Sequence, residues 1–329
     1  MNNLMLGSLA MFGWGTRVKN NRNYHDPVFL NETLKYLSIS SEGVFADCTL
    51  GGGGHSLAIV ERLVPEGHLH CFDRDPEAIA FASNRLKAFE KQITFHPVPF
   101  SEIENEIDAD SLDGVLYDLG ISSHQVDDSS RGFTFVGNQP LDLRMNQQGD
   151  ESAQQWLRHI SAEDLAKVFS QNADLDRSYK LAVRLIEKIQ TISGDILPQD
   201  VREVVESVFY DKRRDLNSIL ARVYQAIRME INQELQQIEK SLRGAVSCLK
   251  KGGRLVVISY HSVEDRCVKN TVSAFEKDCI CPEKLPVCRC GGNHRLLKKE
   301  IRKPLLPTST EIDQNSRARS AKLRVYTKV

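Results

Sequence analysis

A run of four consecutive glycines is the sharpest chemical feature of the sequence. These glycines, residues 51–54, follow the apolar run 44–50. Glycines directly after a strand let a ligand approach the backbone closely. A helix beginning near His55 would also point unpaired backbone N–H groups into the same gap. The sequence therefore predicts a ligand site here, to which we assign Asp47, Gly51, Gly53, Gly54 and His55.

A second carboxylate stands where a nucleotide site requires one. Asp73 follows the next predicted strand, 68–72, and could accept two hydrogen bonds from a ribose diol. A dinucleotide and the methyl donor S-adenosylmethionine both use this arrangement. The dinucleotide pattern G-x-G-x-x-G fails here, because Ser56 replaces the third glycine. Asp47 would also repel a pyrophosphate but attract a sulfonium, so the sequence favours the methyl donor. A glycine turn without any ligand is the remaining interpretation.

Asp118 ends the fourth predicted strand, 113–119. In a doubly wound sheet this strand lies beside the first, at the carboxyl edge where ligands bind. Enzymes that methylate exocyclic amines place an Asp or Asn at this position. Such an amine, for example that of cytosine, is a poor nucleophile, because its lone pair is shared with the ring. An acceptor for the amine protons localises that lone pair and aims it at a methyl group. We therefore predict that Asp118 is catalytic; the alternative is a strand-end residue that caps the following loop.

His261 follows the fifth predicted strand at the same edge of the sheet. Its imidazole could accept a proton or contact the substrate. Alternatively, it caps the helix predicted from Ser262. We include it among the candidate catalytic residues.

The elements that must position these residues alternate between strand and helix in the first half of the chain. This alternation predicts βαβ units and a mostly parallel, doubly wound sheet, hence an α/β fold. Residues 121–149 read as irregular loop, and residues 152–210 carry only helical signals. An apolar stripe predicts one long helix over 219–249. We predict an N-terminal extension (1–23), a sheet domain (24–124 and 216–329) and an inserted all-helical domain (125–215).

Composition is that of a folded protein, and total charge does not indicate a partner. The chain has 329 residues, 41% hydrophobic and 26% charged, with a formal net charge of −1. Residues 284–329, however, carry 12 Lys and Arg against 3 Asp and Glu. Such a basic end suggests a phosphate-facing surface, although solvated edge strands would look the same. The apolar run 4–14 is too short to span a bilayer, and we predict a cytoplasmic protein.

Four of the eight cysteines are clustered as two C-x-C pairs. Four thiolates could hold a tetrahedral zinc, but this spacing is tighter than the usual C-x-x-C. On sequence alone we assign no metal. The clustered cysteines are Cys279, Cys281, Cys288 and Cys290.

Several segments together resemble the bacterial ribosomal small-subunit RNA cytosine-N4 methyltransferases, the MraW family. The matching segments run in order along the chain: DCTLGGGGHS at 47–56, DLGISSHQ at 118–125, RGFTF at 131–135, PLDLRM at 140–145, SYHSVEDR at 259–266 and NSRARSAKLR at 315–324. The helical region departs from the family pattern at Ala173, Asp174 and Leu175, and again at Ser218 and Ile219. These departures leave its RNA contacts open but do not touch the glycine loop.

The resemblance implies a Rossmann-like class I methyltransferase domain with an inserted helical domain. It implies N4-methylation of a decoding-centre cytosine of 16S rRNA in the small ribosomal subunit, with S-adenosylmethionine as cofactor and no membrane partner. It also admits a homodimer. Carried over by position, it places cofactor contacts on Gly53, Gly54, His55, Asp73, Phe100, Asp118 and Gln125, and adds Ser122 to the catalytic set.

Two features oppose rival functions. DNA cytosine-N4 methyltransferases usually carry a Pro-Pro motif at the fourth strand, where this chain has DLGI. A non-enzymatic RNA-binding module would explain the basic end but not the glycine loop. As candidate RNA contacts we select the basic C-terminal segment, the loop around Arg131, and in particular Arg144 and Arg317.

Overall fold

The computed structural model describes residues 27–122, 125, 128–135, 137–147, 151–282, 285 and 287–329. The predicted extension 1–23 lies outside these residues. Within the described part of the chain, no helix is both long and apolar enough to cross a lipid bilayer.

Seven strands form one mixed sheet in the order β3-β2-β1-β4-β5-β7-β6. Strands β1 to β5 are parallel, whereas β7 runs antiparallel between β5 and β6. The predicted doubly wound, mostly parallel sheet is therefore confirmed. The strands are β1 (Val44–Asp47), β2 (His68–Phe72), β3 (Ile93–His96), β4 (Leu112–Asp118), β5 (Leu249–Ser259), β6 (Leu297–Lys299) and β7 (Lys322–Lys328).

Alternating side chains of the central strands enter two separate cores, one on each face of the sheet. Phe45 and Leu116 belong to one apolar cluster, while Ala46 and Val115 belong to the other. Successive strand residues point to opposite faces, so a strand buried on both sides must be apolar throughout. This requirement explains why the strands were readable from their apolar runs.

Helices cover both faces of the sheet and fill the connections between strands. Pro76 occupies the first turn of its helix, and the Asp75 side chain caps that helix by accepting from Glu77 N. These helices are α1 (Leu30–Leu37), α2 (Gly54–Val60), α3 (Pro76–Arg85), α4 (Ile103–Glu106), α10 (Glu234–Cys248), α11 (Ser262–Phe275) and α12 (Ser309–Gln314).

A third apolar cluster belongs to the helices between β4 and β5. They are α5 (Ala153–Leu157), α6 (Ala162–Ala173), α7 (Ser178–Gln190), α8 (Pro198–Val208) and α9 (Leu216–Ile231). We call this group the helical subdomain. The sequence analysis assigned α9 to the sheet domain, but its buried face, including Leu220 and Ile227, packs into this cluster. The division into domains stays a prediction, and this packing favours a boundary after α9.

The single long helix predicted over 219–249 is wrong. The structure has two helices, α9 and α10, separated at Asn232 and Gln233, and Gln233 takes a left-handed φ of 52°. The buried Asn232 amide donates to Leu143 O at 2.8 Å, and its Oδ1 accepts from Met145 N at 2.8 Å. Asn232 thus ties the break to the loop after β4. The stripe continues through the break, so periodicity alone could not locate it.

Candidate active site

The glycine loop adopts backbone conformations that L side chains resist. Gly51 and Gly53 have φ values of 47° and 71°. Gly53 donates its N–H to Leu50 O at 2.7 Å and forms the N-cap of α2. A Cβ on Gly54 would lie 2.6 Å from Cγ of Pro27. The loop can therefore keep its shape only with glycine at these positions.

Asp47 lies behind the loop rather than on its open side. The side chain is almost fully buried, at 1% exposure. Its Oδ1 accepts from Thr49 N at 3.0 Å and its Oδ2 accepts from Ser56 Oγ at 2.6 Å. Burial raises the pKa of Asp47, while the Ser56 hydrogen bond opposes that rise. Ser56, the residue that breaks the dinucleotide pattern, is thus the partner that satisfies this carboxylate.

Asp73 connects the end of β2 to the glycine loop. Its Oδ2 accepts from Gly51 N at 2.9 Å and its Oδ1 accepts from Asp75 N at 2.9 Å. Burial raises the pKa of Asp73 to about 6, against the lowering effect of these two backbone hydrogen bonds. Each carboxylate oxygen has a second lone pair, so Asp73 can still accept from a sugar hydroxyl.

Asp118 is the point where the loop, β4 and β5 meet. Its Oδ1 accepts from the Tyr260 hydroxyl at 2.7 Å, and its Oδ2 lies 3.5 Å from Nε2 of His55. The Asp118 N–H donates to Thr49 Oγ1 at 2.6 Å. These contacts hold the carboxylate in one orientation while leaving its side chain 24% exposed.

His261 adopts the helix-capping arrangement that was the alternative to a catalytic role. It is the N-cap of α11, and its Nδ1 accepts from Glu264 N at 3.3 Å. Its Nε2 lies 2.8 Å from Oε1 of the fully buried Glu264. Glu264 in turn accepts from Tyr260 N at 3.0 Å through its other oxygen. His261 therefore helps to fix the backbone that carries Tyr260.

Ser122 and Gln125 hold each other and face inward. Gln125 is 5% exposed. Its side-chain Oε1 accepts from Ser122 N at 3.1 Å, and its backbone N–H donates to Ser122 Oγ at 3.2 Å. Its Nε2 donates to Asp75 Oδ2 at 3.0 Å. The structure thus gives Gln125 a role in supporting the loop after β4, and places Ser122 within that support.

A buried ion pair that the sequence did not predict lies beneath this loop. Arg131 is 2% exposed and donates to Asp75 Oδ2 at 2.7 Å and to Met145 O at 2.5 Å. The Arg131 guanidinium is enclosed by protein, so RNA contacts in the predicted loop around Arg131 would come from its other residues. Arg144 pairs with Asp142, with Nε 2.7 Å from Oδ1. Only the unusual burial of an arginine distinguishes Arg131 from a surface cation, and spacing does not reveal that.

Phe100 begins a short 3-10 turn after β3 and packs against the core on one side of the sheet. Its ring meets Tyr117 edge-on, with centroids 5.8 Å apart. Phe100 is only half-buried, so it can pack against the core on one side and still contact a bound purine on the other.

The basic C-terminal segment is partly neutralised by the acidic remainder of the chain. At least five cations among its described residues form ion pairs with acidic side chains, which is the edge-strand interpretation for those residues. They are Arg295 with Asp278, Lys299 with Glu276, Lys322 and Arg324 with Asp265, and Lys328 with Asp110.

A cavity of about 430 Å³ lies between the helical subdomain and the carboxyl edge of the sheet. It reaches the side chain of Tyr260, the hydrogen-bond partner of Asp118. The rest of the lining mixes polar side chains with apolar ones such as Val263 and Leu306. Its polar lining includes Arg222, Gln225, His261, Arg319 and Lys322.

The site fits an adenosyl methyl donor. Both ring nitrogens of His55 are buried and make no hydrogen bond to any residue that the structure describes, so a ligand atom could satisfy them. A carboxylate suited to a ribose, Asp73, stands at the end of β2. The left-handed glycines leave the backbone open to a nucleoside beside it.

This strand order, with β7 antiparallel between β5 and β6, is the topology of class I methyltransferases. With the glycine loop, Asp73 and Asp118 at its carboxyl edge, it defines an S-adenosylmethionine-dependent methyltransferase. Residues 22–329 match the family model described as the MraW methylase family, and the chain belongs to that family. The resemblance drawn from the motifs is confirmed.

Relatives of high similarity share one name, ribosomal RNA small subunit methyltransferase H. The protein from Clostridium botulinum (strain Loch Maree) is 39% identical over 307 residues, covering 93% of this chain and 99% of its own. The protein from Clostridioides difficile (strain 630) is 38% identical over 315 residues, with the same coverage. The alignment with a solved rRNA methylase from Streptococcus thermophilus covers 94% of this chain and 99% of that one. The two chains are 9% identical, with a TM-score of 0.42.

Proposed function

We propose that this enzyme transfers a methyl group to the exocyclic N4 of a decoding-centre cytosine in 16S rRNA, within the small ribosomal subunit and hence in the cytoplasm. The observation that carries the proposal is Asp118, a carboxylate oriented by Tyr260 and Thr49 beside the glycine loop. The names of the relatives support a ribosomal RNA substrate.

The chain's own residues account for binding the methyl donor. Backbone groups of Gly51, Gly53 and Gly54 would line the nucleoside, and Asp73 would accept from its ribose. His55 offers two unsatisfied ring nitrogens at the same place. Asp47 contributes indirectly, because it holds Thr49 and Ser56 behind the loop. Bound S-adenosylmethionine supplies an electrophilic methyl group on a sulfonium.

Asp118 accounts for activation of the amine. A carboxylate oxygen that accepts an N–H proton of the cytosine amine localises the nitrogen lone pair. The Tyr260 hydroxyl occupies Oδ1 and so fixes which way the other oxygen points. Positioning matters more than a strong base in this step, because the amine loses its proton only after the new N–C bond forms. His261 would act through the Tyr260 backbone, as a positioning residue.

The cavity beside Tyr260 accounts for access of the RNA. A target base inside a helix is buried by stacking, so an enzyme that modifies it must receive it extruded or single-stranded. The cavity volume of about 430 Å³ is in the range of small-molecule sites. Arg222 and Arg319 line it and would face the phosphates around an extruded nucleotide.

The decisive experiment is transfer of a labelled methyl group to small ribosomal subunits from cells that lack this enzyme. We expect label in the 16S rRNA, and nucleoside digestion with mass spectrometry should identify it as N4-methylcytidine at one decoding-centre position. The Asp118→Ala variant, assayed in parallel, should transfer the methyl group at least about 100-fold more slowly. Label on a ring carbon, on another base or on protein would refute the proposal.

Calorimetry separates this function from the rival dinucleotide enzyme. S-adenosylhomocysteine should bind with a stoichiometry of about one per chain, and NAD should not bind. Binding of NAD instead would show that the glycine loop is a dinucleotide site.

A further inference from the structure

The segment between α11 and β6 has no apolar core of its own. Among its described residues from Glu276 to Leu296, no side chain is buried. Ile280 and Val287, two of its apolar residues, are 64% and 70% exposed. Hydrogen bonds close its base, where Leu296 N donates to Phe275 O at 2.8 Å and His294 N donates to Asp278 O at 3.1 Å. Something other than hydrophobic burial must hold the remainder together.

Four thiols meet at the centre of this segment. The sulfur atoms of Cys279, Cys281, Cys288 and Cys290 all lie within 4.8 Å of one another. The separations Cys279–Cys288, Cys288–Cys290 and Cys279–Cys290 are each 3.6 Å. Four sulfurs placed at about 2.3 Å from a tetrahedral zinc lie about 3.8 Å apart. Three of the sulfurs therefore have the spacing of a zinc coordination shell, and the fourth, of Cys281, lies within 4.8 Å of each of them.

Disulfide bonding does not explain the arrangement. A disulfide requires sulfurs at about 2.05 Å, and all four cysteines are free thiols. Two disulfides would also sort the sulfurs into two close pairs, whereas Cys288 is equally near Cys279 and Cys290.

The backbone around the thiols has the features of a metal-binding turn. The N–H of Arg289 donates to Cys281 Sγ at 3.3 Å, as backbone amides do to metal-bound thiolates. Directly after Cys290, Gly291 and Gly292 take φ values of 78° and 75°, which turn the chain sharply. His294 Nε2 lies 3.2 Å from Cys290 O and fixes the far side of that turn.

We infer that Cys279, Cys281, Cys288 and Cys290 bind one Zn²⁺ as a tetrahedral four-thiolate site. Binding replaces the four thiol protons, which pass to solvent, and involves no oxidation or reduction. Four protein ligands leave no open coordination position, so the ion is structural and takes no part in methyl transfer. It supplies the binding free energy that the missing core cannot, and so orders the connection from α11 to β6. The tight C-x-C spacing, which weighed against a metal in the sequence, still allows the four sulfurs to lie within 4.8 Å of one another.

Metal analysis of the full-length protein tests the inference. Protein purified under reducing conditions without chelator should contain about one zinc per chain by mass spectrometry of the metal. The Cys281→Ser and Cys290→Ser variants should retain less than about a tenth of that. The matched control is Cys267→Ser, which removes a half-buried thiol outside the cluster and should keep the full zinc content.

Cobalt substitution and proteolysis give two further readouts independent of catalysis. Co²⁺ added to the metal-free protein should produce thiolate charge-transfer bands and the intense visible bands of tetrahedral cobalt. Removal of the metal should make trypsin cut at Arg289, while affinity for S-adenosylhomocysteine stays unchanged. Wild-type protein that lacks zinc and gives no cobalt spectrum, or equal zinc loss in Cys267→Ser, would overturn the assignment. So would a metal-free chain in which the four thiols form two stable disulfides.

Discussion

The Tyr260 hydroxyl donates a 2.7 Å hydrogen bond to Oδ1 of Asp118, joining the carboxyl ends of β5 and β4. The Tyr260 backbone is itself held by Glu264, which accepts from its N–H at 3.0 Å. The orientation of the proposed catalytic carboxylate therefore depends on a residue 142 positions away in sequence.

Tyr260→Phe removes this hydrogen bond and keeps the ring. We expect kcat to fall by roughly 10- to 100-fold, because a misdirected acceptor no longer aims the amine. Affinity for S-adenosylhomocysteine should not change, since Tyr260 is not among the proposed cofactor contacts. Single-turnover methyl transfer and calorimetry measure the two effects separately. Tyr179→Phe, at an exposed tyrosine of the helical subdomain, is the matched control and should alter neither.

Asp118→Ala should lower methyl transfer by roughly 10²- to 10⁴-fold, the range of a lost proton acceptor. The fold should survive, because the Asp118 side chain is partly exposed and its N–H bond to Thr49 does not use the side chain. Asp118→Asn keeps one acceptor oxygen and should retain more activity than the alanine variant. Circular dichroism and urea unfolding would show whether the fold is intact. Full activity in the alanine variant would remove Asp118 from the mechanism.

The glycine loop and the strand-end acids could be predicted because local sequence determines them. A glycine run after a strand marks a place where the backbone takes left-handed φ values or approaches a ligand closely, and Asp73 and Asp118 end strands whose apolar pattern is plain. Parallel strands also bring their carboxyl ends to one edge, so these residues had to meet. The same reasoning could not say that Asp47 faces Ser56, because it does not give the side-chain direction within a turn.

Contacts between distant segments could not be predicted. Arg131 and Asp75 lie 56 positions apart, and nothing in their local sequence marks them as partners. The break at Asn232 escaped detection because asparagine satisfies the loop after β4, a relationship visible only in three dimensions. The register shift between β4 and β5 before Arg254 is likewise set by pairing between distant segments.

Arg131→Met should destabilise the protein strongly. The mutation leaves Asp75, which is 2% exposed, without its buried cation. Removing one member of a buried pair typically costs about 3–5 kcal/mol. Gln125 and Glu77 N still donate to Asp75, so we expect a loss near the lower end, about 3 kcal/mol.

Urea unfolding measures this loss of unfolding free energy, and two further variants serve as comparisons. The double variant Asp75→Asn with Arg131→Met should be less destabilised than the sum of the single variants, because no charge remains buried. Lys167→Met breaks an exposed pair with Asp164 and should leave the unfolding free energy within experimental error. Additive single variants would show that the two side chains do not interact.

Cofactor affinity should depend on pH through Asp73. Burial raises its pKa to about 6, so the carboxylate becomes protonated as the pH falls through that value. A protonated Asp73 is a weaker acceptor for ribose hydroxyls, and S-adenosylhomocysteine should bind less tightly below about pH 6. The sign for stability is opposite: because the folded pKa exceeds the usual 3.8, ionised Asp73 opposes folding above pH 6, and that cost is relieved on acidification. Calorimetry across this range should show the decline in the wild type and none in Asp73→Asn.

Gly53→Ala should weaken cofactor binding without unfolding the enzyme. Its φ of 71° costs an L residue about 1–2 kcal/mol, and the new Cβ would stand 3.3 Å from Cβ of Ala82. The loop would relieve this by shifting at the N-terminus of α2, where the nucleoside is proposed to lie. Calorimetry with S-adenosylhomocysteine should show at least a tenfold loss, whereas Gly194→Ala, which has open space around it and no positive φ, should bind normally. Unchanged affinity in Gly53→Ala would mean that the nucleoside does not lie against this glycine.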